Sequence, residues 1–269
     1  MKFNQFITLL TDFGLKDPYV SIMKGVIYSI NPSVKVIDIT HNIERHNIIQ
    51  AAFILASAYK FFPKGTIHCV VVDPGVGTSR RALIVVSNNY VFIGPDNGVL
   101  ALAANQDEVK KVYEIIPGKY IPKSSSNTFH GRDIFAPAAA YLSKGVKPED
   151  LGNPVSHYIV PNFTKPLLKN NKIIGEVIYI DVFGNIITNI PRNVIEQANI
   201  EAGSRLRLKI GRTVYLLPFV RAYGEVGKGE PLILMDSFDF LEIAVNQDSA
   251  ADMFKVSVGD KIEIYFTSR

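Results

Sequence analysis

The chain has 269 residues, of which 47% are hydrophobic and 20% charged, and its 29 basic and 25 acidic side chains give a formal net charge of +4. This composition is typical of a globular protein with one large or two modest domains, and it argues against disorder. No stretch approaches the roughly 18 consecutive apolar residues of a membrane-spanning helix, and the dispersed basic residues disfavour nucleic-acid binding.

Strand-like and helix-like segments alternate through the first part of the chain. FITLLTDFG predicts a buried strand, and DPYVSIMKGVIYSINP predicts a helix with Asp17 as N-cap and Pro18 at its first position. SVKVIDITH, NIIQAAFILASAYKFFP and TIHCVVVD continue as strand, helix and strand. Because crossover helices join parallel strands, we predict an α/β domain over residues 1–162 with a largely parallel central sheet.

Short strands replace this pattern in the second part of the chain. SRLRLKI, TVYLLPFV, PLILMD, FLEIAV and DKIEIYF are divided by turns rich in Gly, Asn and Asp. That spacing is typical of a small antiparallel barrel or sandwich. We therefore expect a smaller, barrel-like all-β domain over residues 170–269, after a linker that contains Pro154, Pro161 and Pro166.

The N-terminal segment and the cysteine and histidine content limit location and metal chemistry. MKFNQFITLLTDFG has too short an apolar run for a signal peptide, so we expect a cytoplasmic protein. The single cysteine, Cys69, lies in an apolar run and is expected in the core, without a disulfide partner. The five histidines lack paired metal-ligand spacing, so no zinc-type cluster is expected.

The run VVVDPGVGTSRRALIVV, from Val70 to Val86, places a carboxylate, two glycines and two arginines inside apolar sequence. A dinucleotide-binding loop needs a third glycine where Arg80 stands, and a Walker loop needs a final Gly-Lys-Ser/Thr, so both phosphate-binding interpretations fail. Asp73 ends one predicted strand as Asp12 ends the first. Either could simply cap a turn. Together they indicate a ligand site at the carboxyl edge of the sheet.

Two further segments carry polar groups that could serve a site. His130 precedes a helical pattern with Pro137 near its start, where a histidine is commonly a cap or surface residue. In YIDVFGNIITN, one hairpin turn carries Asp181, Phe183 and Asn185. Each is ordinary turn chemistry, yet an aromatic face beside an amide is what recognises a purine.

The segments TLLTDFGLKDPYVSIMKG, VIDITHNI, FFPKGTIHCVVVDPGVGTSRR, IGPDNGVL, TFHGRDIFAPAAA and IDVFGNIITN together resemble the S-adenosyl-L-methionine hydrolases, or hydroxide adenosyltransferases, relatives of fluorinase and chlorinase. The resemblance runs in order from Ile7 to about Ala251. It implies an N-terminal α/β domain, a C-terminal β-barrel, and a homotrimer that holds substrate between the first domain of one subunit and the second of its neighbour. It implies cleavage of S-adenosyl-L-methionine by water at ribose C5′, with no cofactor, giving adenosine and methionine.

The resemblance also assigns residues by position. It places the catalytic Asp, Arg and His at Asp73, Arg80 and His130, and the ribose-binding Asp at Asp12. The positions that it assigns to adenine and methionine contacts are Asp181, Phe183, Asn185, Ser237, Glu242 and Val245. His46 stands where relatives often carry an aromatic ring over the ribose, and Phe238 stands where the halogenases carry an arginine.

These residue types suit the implied reaction. A sulfonium leaves as a neutral thioether and needs neither a general acid nor a metal, so the task is to hold one water in line with the C5′–S bond. Asp73 and His130 can both accept a proton from that water, and Arg80 can orient the carboxylate. Two alternatives stay open: a non-catalytic adenosine or S-adenosyl-L-methionine sensor, and a 5′-halogenase, which the negative charge of Asp73 disfavours.

Overall fold

The computed structural model describes residues 5–122, 126–162, 165–169 and 171–266. The chain divides into two compact units, Met1–Val160 and Pro161–Arg269, and each has a hydrophobic core of its own. None of the helices in these ranges has the length and apolar character needed to span a membrane.

A seven-stranded sheet runs through the described part of the first unit. Its strands are β1 Phe6–Thr11, β2 Lys35–Thr40, β3 Ile67–Val71, β4 Ala82–Val86, β5 Val91–Pro95, β6 Lys111–Ile115 and β7 Gly152–Val155. The α-helices of this unit are α1 Tyr19–Ile30, α2 Ile48–Ala58, α3 Ala101–Gln106 and α4 Ala136–Ser143. The predicted α/β architecture is confirmed.

The sheet is mixed, with the order β2-β1-β3-β5-β4-β6-β7. The expected parallel pairing holds for β2, β1, β3 and β5, which the segments containing α1 and α2 help to connect. It gives way to antiparallel pairing at β4, β6 and β7. The reason is local: a tight turn, in which Ser87 N donates to Tyr90 O at 3.0 Å, joins β4 directly to β5, so no crossover helix is present there.

Helix α1 begins one position later than predicted. Pro18 is its N-cap, and its ψ of 4° lies outside the helical range, so the first helical residue is Tyr19. The side chain of Asp17 makes no capping hydrogen bond and borders a cavity instead. The predicted apolar stripe is confirmed where it matters for packing, because Val20, Met23 and Ile27 are all buried.

The second unit is built from an eight-stranded antiparallel sheet. Its strands are β8 Leu167–Lys169, β9 Lys172–Ile180, β10 Ile186–Pro191, β11 Arg205–Ile210, β12 Thr213–Pro218, β13 Pro231–Met235, β14 Phe240–Val245 and β15 Lys261–Tyr265, with helices α5 Arg192–Gln197 and α6 Ala250–Phe254. The order is β12-β11-β15-β9-β10-β14-β13, and β8 pairs with β9. At the two ends of this order, Val220 N donates to Ile233 O at 2.9 Å, which nearly closes the sheet into the predicted barrel.

Candidate active site

Asp73, Arg80 and His130 form one connected cluster in the first unit. The Arg80 Nε lies 2.9 Å from both carboxylate oxygens of Asp73, and its Nη2 also donates to Asp73 Oδ2. The same Nη2 lies 2.6 Å from His130 Nδ1. The side chains of Arg80 and Asp73 are only 10% and 5% exposed. Arg80 therefore contacts both other predicted catalytic residues, although 50 positions separate it from His130.

The segment Asp73–Arg80 folds into a compact turn that brings Arg80 back to Asp73. Val76 N donates to Asp73 O at 3.2 Å, and Thr78 Oγ1 donates to Gly75 O at 2.7 Å. Gly77 has a φ of +79°, and a Cβ there would lie 2.5 Å from the backbone oxygen of Asn127. Only glycine fits that position without movement, because the backbone there has a left-handed φ and the segment that carries His130 approaches it closely.

The protonation state of His130 follows from its neighbours. Burial and the Arg80 guanidinium lower its pKa, while the carboxylates of Asp73 and Asp133 act in the opposite direction. A guanidinium N–H only donates hydrogen bonds, so His130 Nδ1 must be the acceptor. The neutral imidazole therefore carries its proton on Nε2, which leaves that atom as a hydrogen-bond donor.

Asp12 lies at the carboxyl end of β1, beside the end of β3 that precedes Asp73, because Thr11 pairs with Val71. Its Oδ2 accepts a hydrogen bond of 2.9 Å from the backbone N of His46, a residue with a φ of +68°. Asp12, His46, Asp73 and His130 border one cavity of about 330 Å³. The expectation that Asp12 and Asp73 share the carboxyl edge of the sheet is confirmed.

The hairpin turn between β9 and β10 carries Asp181, Phe183 and Asn185. Asp181 Oδ1 accepts hydrogen bonds from the backbone N of Phe183 and of Asn185, at 2.8 and 2.9 Å. Asp181 Oδ2 accepts a third, of 2.9 Å, from Asn185 Nδ2. The Phe183 ring is 75% exposed at the tip of the turn. Asp181 thus holds the turn together and fixes the amide of Asn185, while the Phe183 face is open.

Glu242, on β14, is a buried acid of the second unit at 4% exposure, and Asp236 is another at 8%. Tyr223 donates its hydroxyl to Glu242 Oε1 at 2.7 Å. Burial raises the pKa of Glu242 to about 7, and the nearby charges of Asp236 and Asp181 act in the same direction, against the Tyr223 hydrogen bond. Three carboxylates thus influence one another here, and the charges that act on Glu242 are negative.

Ser237 lies before β14, and Val245 is the last residue of that strand. Ser237 is exposed in the turn between β13 and β14, and Val245 is buried at 2% exposure. Asp236 forms this turn, because its Oδ1 accepts hydrogen bonds of 2.8 Å from the backbone N of Phe238 and of Phe240. Ser237 therefore has a fixed backbone and an open side chain.

Several residues that lie beside the predicted site residues of the two units were not predicted from the sequence. In the first unit they are the rings of Phe13, Tyr19 and Phe129, which border the same cavity as Asp12 and His130. In the second unit they are Tyr223 and Asp236. Phe13 and Phe129 are chain neighbours of Asp12 and His130, which is a signal that could have found them. Tyr223 had no such neighbour. In the ranges that the structure describes, no group of three or more His, Cys, Asp or Glu side chains could hold a metal ion.

Comparison with known proteins places this chain in a family. Residues 7–152 match the family model of the SAM hydroxide adenosyltransferase N-terminal domain, and residues 175–263 match that of the C-terminal domain. The chain belongs to the SAM hydroxide adenosyltransferases. Its two compact units correspond to the two domains of this family.

Individual members of this family extend the comparison. A protein of Thermus thermophilus named (R)-S-adenosyl-L-methionine hydrolase is 35% identical, with 96% of this chain and 98% of the relative aligned. A fluorinase of an Actinoplanes species is 27% identical over 95% of this chain and 96% of its own. A solved structure of an uncharacterised conserved protein from Thermotoga maritima is 43% identical, with a TM-score of 0.88 and coverage of 96% of this chain and 99% of that one.

Proposed function

We propose that this protein hydrolyses (R)-S-adenosyl-L-methionine at ribose C5′, giving adenosine and L-methionine. The single observation that carries the proposal is the Asp73–Arg80–His130 cluster at the edge of a nucleoside-sized cavity. Family membership supplies the substrate, and the relatives named hydrolase are more similar to this chain than the fluorinases are.

In the proposed reaction a water oxygen attacks C5′ while the C5′–S bond breaks. The electron pair of that bond goes to sulfur, which leaves as the neutral thioether of methionine. His130 donates its Nε2–H to the water oxygen and so directs the other lone pair of the water at carbon. The Asp73 carboxylate takes the proton that the water loses, since a carboxylate has up to four acceptor positions and Arg80 does not fill them all.

Arg80 acts as the positioning residue in this mechanism. Its planar fork holds the Asp73 carboxylate through two nitrogen atoms and holds His130 in the tautomer that donates from Nε2. The guanidinium also lies over the Phe135 ring, with 5.2 Å between Cζ and the ring centroid. The apolar ring limits water access on that side and fixes the plane of the guanidinium.

We propose that the second unit binds the ends of the substrate. The Phe183 face and the Asn185 amide suit adenine, by stacking and hydrogen bonding, and Asp181, Ser237 and Glu242 suit the amino-acid end. Val245 contributes from the buried end of β14. Asp12 suits the ribose hydroxyls, because a carboxylate accepts two hydrogen bonds from a vicinal diol. The family resemblance supports these assignments.

The direct test uses water enriched in ¹⁸O. The purified protein is incubated with S-adenosyl-L-methionine in this water, and the masses of the separated products are measured by mass spectrometry. We expect ¹⁸O in adenosine and none in methionine, which reports attack at C5′. Asp73→Ala and His130→Ala should lower turnover at least tenfold with substrate affinity largely kept, whereas His157→Ala, an exposed histidine, should leave the rate unchanged. Wild-type rates from both site variants would remove the proposed roles.

The same assay separates the hydrolase from a halogenase and from a sensor. A halide about 4 Å from the Asp73 carboxylate would be repelled by roughly 4 kcal/mol at an effective dielectric near 20. We therefore expect adenosine as the main product even in molar chloride or fluoride. A 5′-halo-adenosine as the main product would replace the hydrolase assignment with a halogenase. Tight binding without any product would replace it with a sensor.

We further propose that the protein is a cytoplasmic homotrimer that works without cofactor, metal, nucleic acid or membrane. The family resemblance supports the trimer, and the sulfonium leaving group removes the need for a Lewis acid. Light scattering of the purified protein should give about three times the chain mass of 29.8 kDa. Turnover should survive dialysis against a chelator. A monomeric mass would remove the trimer, and activity restored only by a metal would remove metal independence.

A further inference from the structure

Three aromatic rings pack against one another beside the Asp73–Arg80–His130 cluster. The centroid distances are 5.5 Å for Phe13–Tyr19, 5.9 Å for Phe13–Phe129 and 5.2 Å for Tyr19–Phe129. Phe13 follows β1, Tyr19 opens α1, and Phe129 directly precedes His130. All three border the same cavity as Asp12, Asp73 and His130. We call them the aromatic cluster.

Phe13 and Phe129 of the aromatic cluster pack against the hydrophobic core of the first unit, but Tyr19 lies at its edge. Tyr19 is 44% exposed, and the hydrophobic effect by itself would favour burying a ring of that size. The interplanar angles of 50°, 75° and 84° tilt the rings relative to one another. Aromatic faces are electron-rich and attract cations within about 6 Å, so a cavity bordered by tilted rings suits a positive group. Arg132 already uses this property of Phe129, at 5.4 Å from its centroid.

The charges around the cavity favour the same kind of ligand. The carboxylates of Asp12, Asp17 and Asp73 border it together with Arg45. Two further cations lie close by, and each is paired with a carboxylate: Arg80 with Asp73, and Arg132 with Asp133. A sulfonium is a permanent cation without any N–H or O–H. It therefore cannot be recognised by hydrogen bonds, and aromatic faces and nearby carboxylates are the groups left to bind it.

The in-line arrangement of water, C5′ and sulfur determines which part of the substrate lies near these rings. This step rests on the function proposed above. In an in-line displacement, the sulfur lies on the side of C5′ opposite the attacking water, about 5 Å from the water oxygen, given a near-attack distance of about 3–3.5 Å. The water is held at His130, and Phe129 is the residue next to it. The sulfonium then lies within reach of Phe129 and Phe13, which are the chain neighbours of His130 and Asp12 and border the same cavity.

We propose that Phe13, Tyr19 and Phe129 form the sulfonium subsite, which binds the charged sulfur and its methyl group and sets the preference for one sulfonium epimer. The sulfur carries an adenosyl group, an amino-acid chain, a methyl group and a lone pair. With the first two fixed, the epimers differ by exchange of the methyl group and the lone pair. A ring face attracts the partly positive methyl hydrogens and repels the lone pair.

The test compares S-adenosyl-L-methionine with S-adenosyl-L-homocysteine, which lacks only the methyl group and the charge. Binding of each is measured calorimetrically in a His130→Ala background, which lowers turnover of the substrate, with the three rings intact and with Tyr19→Leu or Phe129→Leu added. We expect each variant to lower the affinity ratio of the two ligands about tenfold, and to bring the kcat/KM values for the (R) and (S) epimers closer together. Tyr19→Phe should keep the wild-type ratio, because it keeps the ring.

A matched control and the opposite outcome keep the proposal falsifiable. Tyr28→Leu removes another exposed aromatic ring from α1, outside the cavity, and should leave the affinity ratio unchanged. Equal loss of affinity for both ligands in Tyr19→Leu and Phe129→Leu would show that the rings only shape the pocket, and it would overturn the subsite. Wild-type hydrolysis is measured separately, so failure of the proposed function, seen as no adenosine from wild-type protein, is distinguishable from failure of this subsite.

Discussion

The two units of this protein treat their buried carboxylates differently. In the first unit, Asp73 is held by the guanidinium of Arg80, so its negative charge has a permanent partner. In the second unit, Glu242 has a tyrosine hydroxyl as partner and the negative charges of Asp236 and Asp181 nearby. A fixed cation compensates the negative charge of a buried carboxylate. A carboxylate without one becomes fully ionised at neutral pH only when a cation arrives.

The largest effect should come from breaking the permanent pair of the first unit. Arg80→Lys keeps the charge but cannot hold Asp73 and His130 through one planar fork, so we expect kcat to fall about 100-fold. Arg81→Lys is the matched control, because the adjacent arginine binds Asp96 and is placed in no catalytic role. Steady-state kinetics and circular dichroism of both variants make the comparison. Equal rates in the two variants would contradict the positioning role.

The turn that brings Arg80 to Asp73 gives the next prediction. Gly77→Ala must accommodate a left-handed φ and a Cβ at 2.5 Å from Asn127 O, so we expect the free energy of unfolding to fall by roughly 3–4 kcal/mol. Gly118→Ala is the control, since its Cβ would have no neighbour within 4 Å. Urea denaturation measures both. If the free energy of unfolding of Gly77→Ala fell by less than about 1 kcal/mol, the turn would accommodate the added methyl group without the expected strain.

The second unit should gain stability when Glu242, whose partner is the neutral hydroxyl of Tyr223, loses its charge. The pKa of Glu242 is about 7 when folded, above its ordinary value of 4.5, so this group favours folding below pH 4.5 and loses that contribution as the pH rises through 7. Glu242→Gln should therefore raise the free energy of unfolding by about 3 kcal/mol at pH 8 and change it little at pH 4.5. Glu108→Gln, at an exposed site, should do neither. Parallel pH profiles for wild type and Glu242→Gln would remove the pKa shift.

Lowering the pH should destabilise the first unit through a buried histidine, which is the opposite of its effect on the second unit through Glu242. His68 is fully buried among aromatic rings, and burial lowers its pKa to about 3 from an ordinary 6.5. The contribution of neutral His68 to the free energy of unfolding is complete above pH 6.5. It is lost as the pH falls toward 3, because only the unfolded chain takes up the proton. Between pH 6.5 and 5 the wild type should lose about 2 kcal/mol that His68→Phe does not lose.

Amide exchange separates this effect from that of Glu242, since it reports β3 and β14 individually. We expect β3 protection to fall with acid in wild type and to fall less in His68→Phe. His157→Ala should follow wild type. A His68→Phe variant as acid-sensitive as wild type would show that His68 does not contribute to the acid response.

Much of the architecture could be predicted from local patterns. The strands β1 to β3 and β11 to β15 appear where apolar runs predicted them, and α1 buries Val20, Met23 and Ile27 on the predicted face. Strands β5 to β8 were not predicted, and Pro154, which was assigned to the linker, lies in β7. The start of α1 was wrong by one residue, since the ψ of Pro18 depends on the loop before it. The antiparallel half of the first sheet was also missed. Strand order depends on which connections are short, and periodicity within a strand does not report this.

The candidate site was predicted less evenly. Asp12 and Asp73 could be placed together because both end parallel strands, and the rule for such edges is general. Contact between Arg80 and His130 had no local signal, and it came from resemblance to a family. Tyr223 was missed for the same reason, because a residue 19 positions from Glu242 has no periodic relation to it.

The sequence by itself determined the elements, the two kinds of architecture and the residue types available for chemistry, because these depend on hydrophobic pattern and turn propensity within a few residues. Only the tertiary structure decided which charge meets which: that Arg80 joins Asp73 to the Nδ1 of His130, and that Glu242 faces Tyr223. Those contacts depend on strand order and loop closure between distant segments. They set burial and electrostatic partners, and hence the pKa values, which no stretch of sequence contains alone.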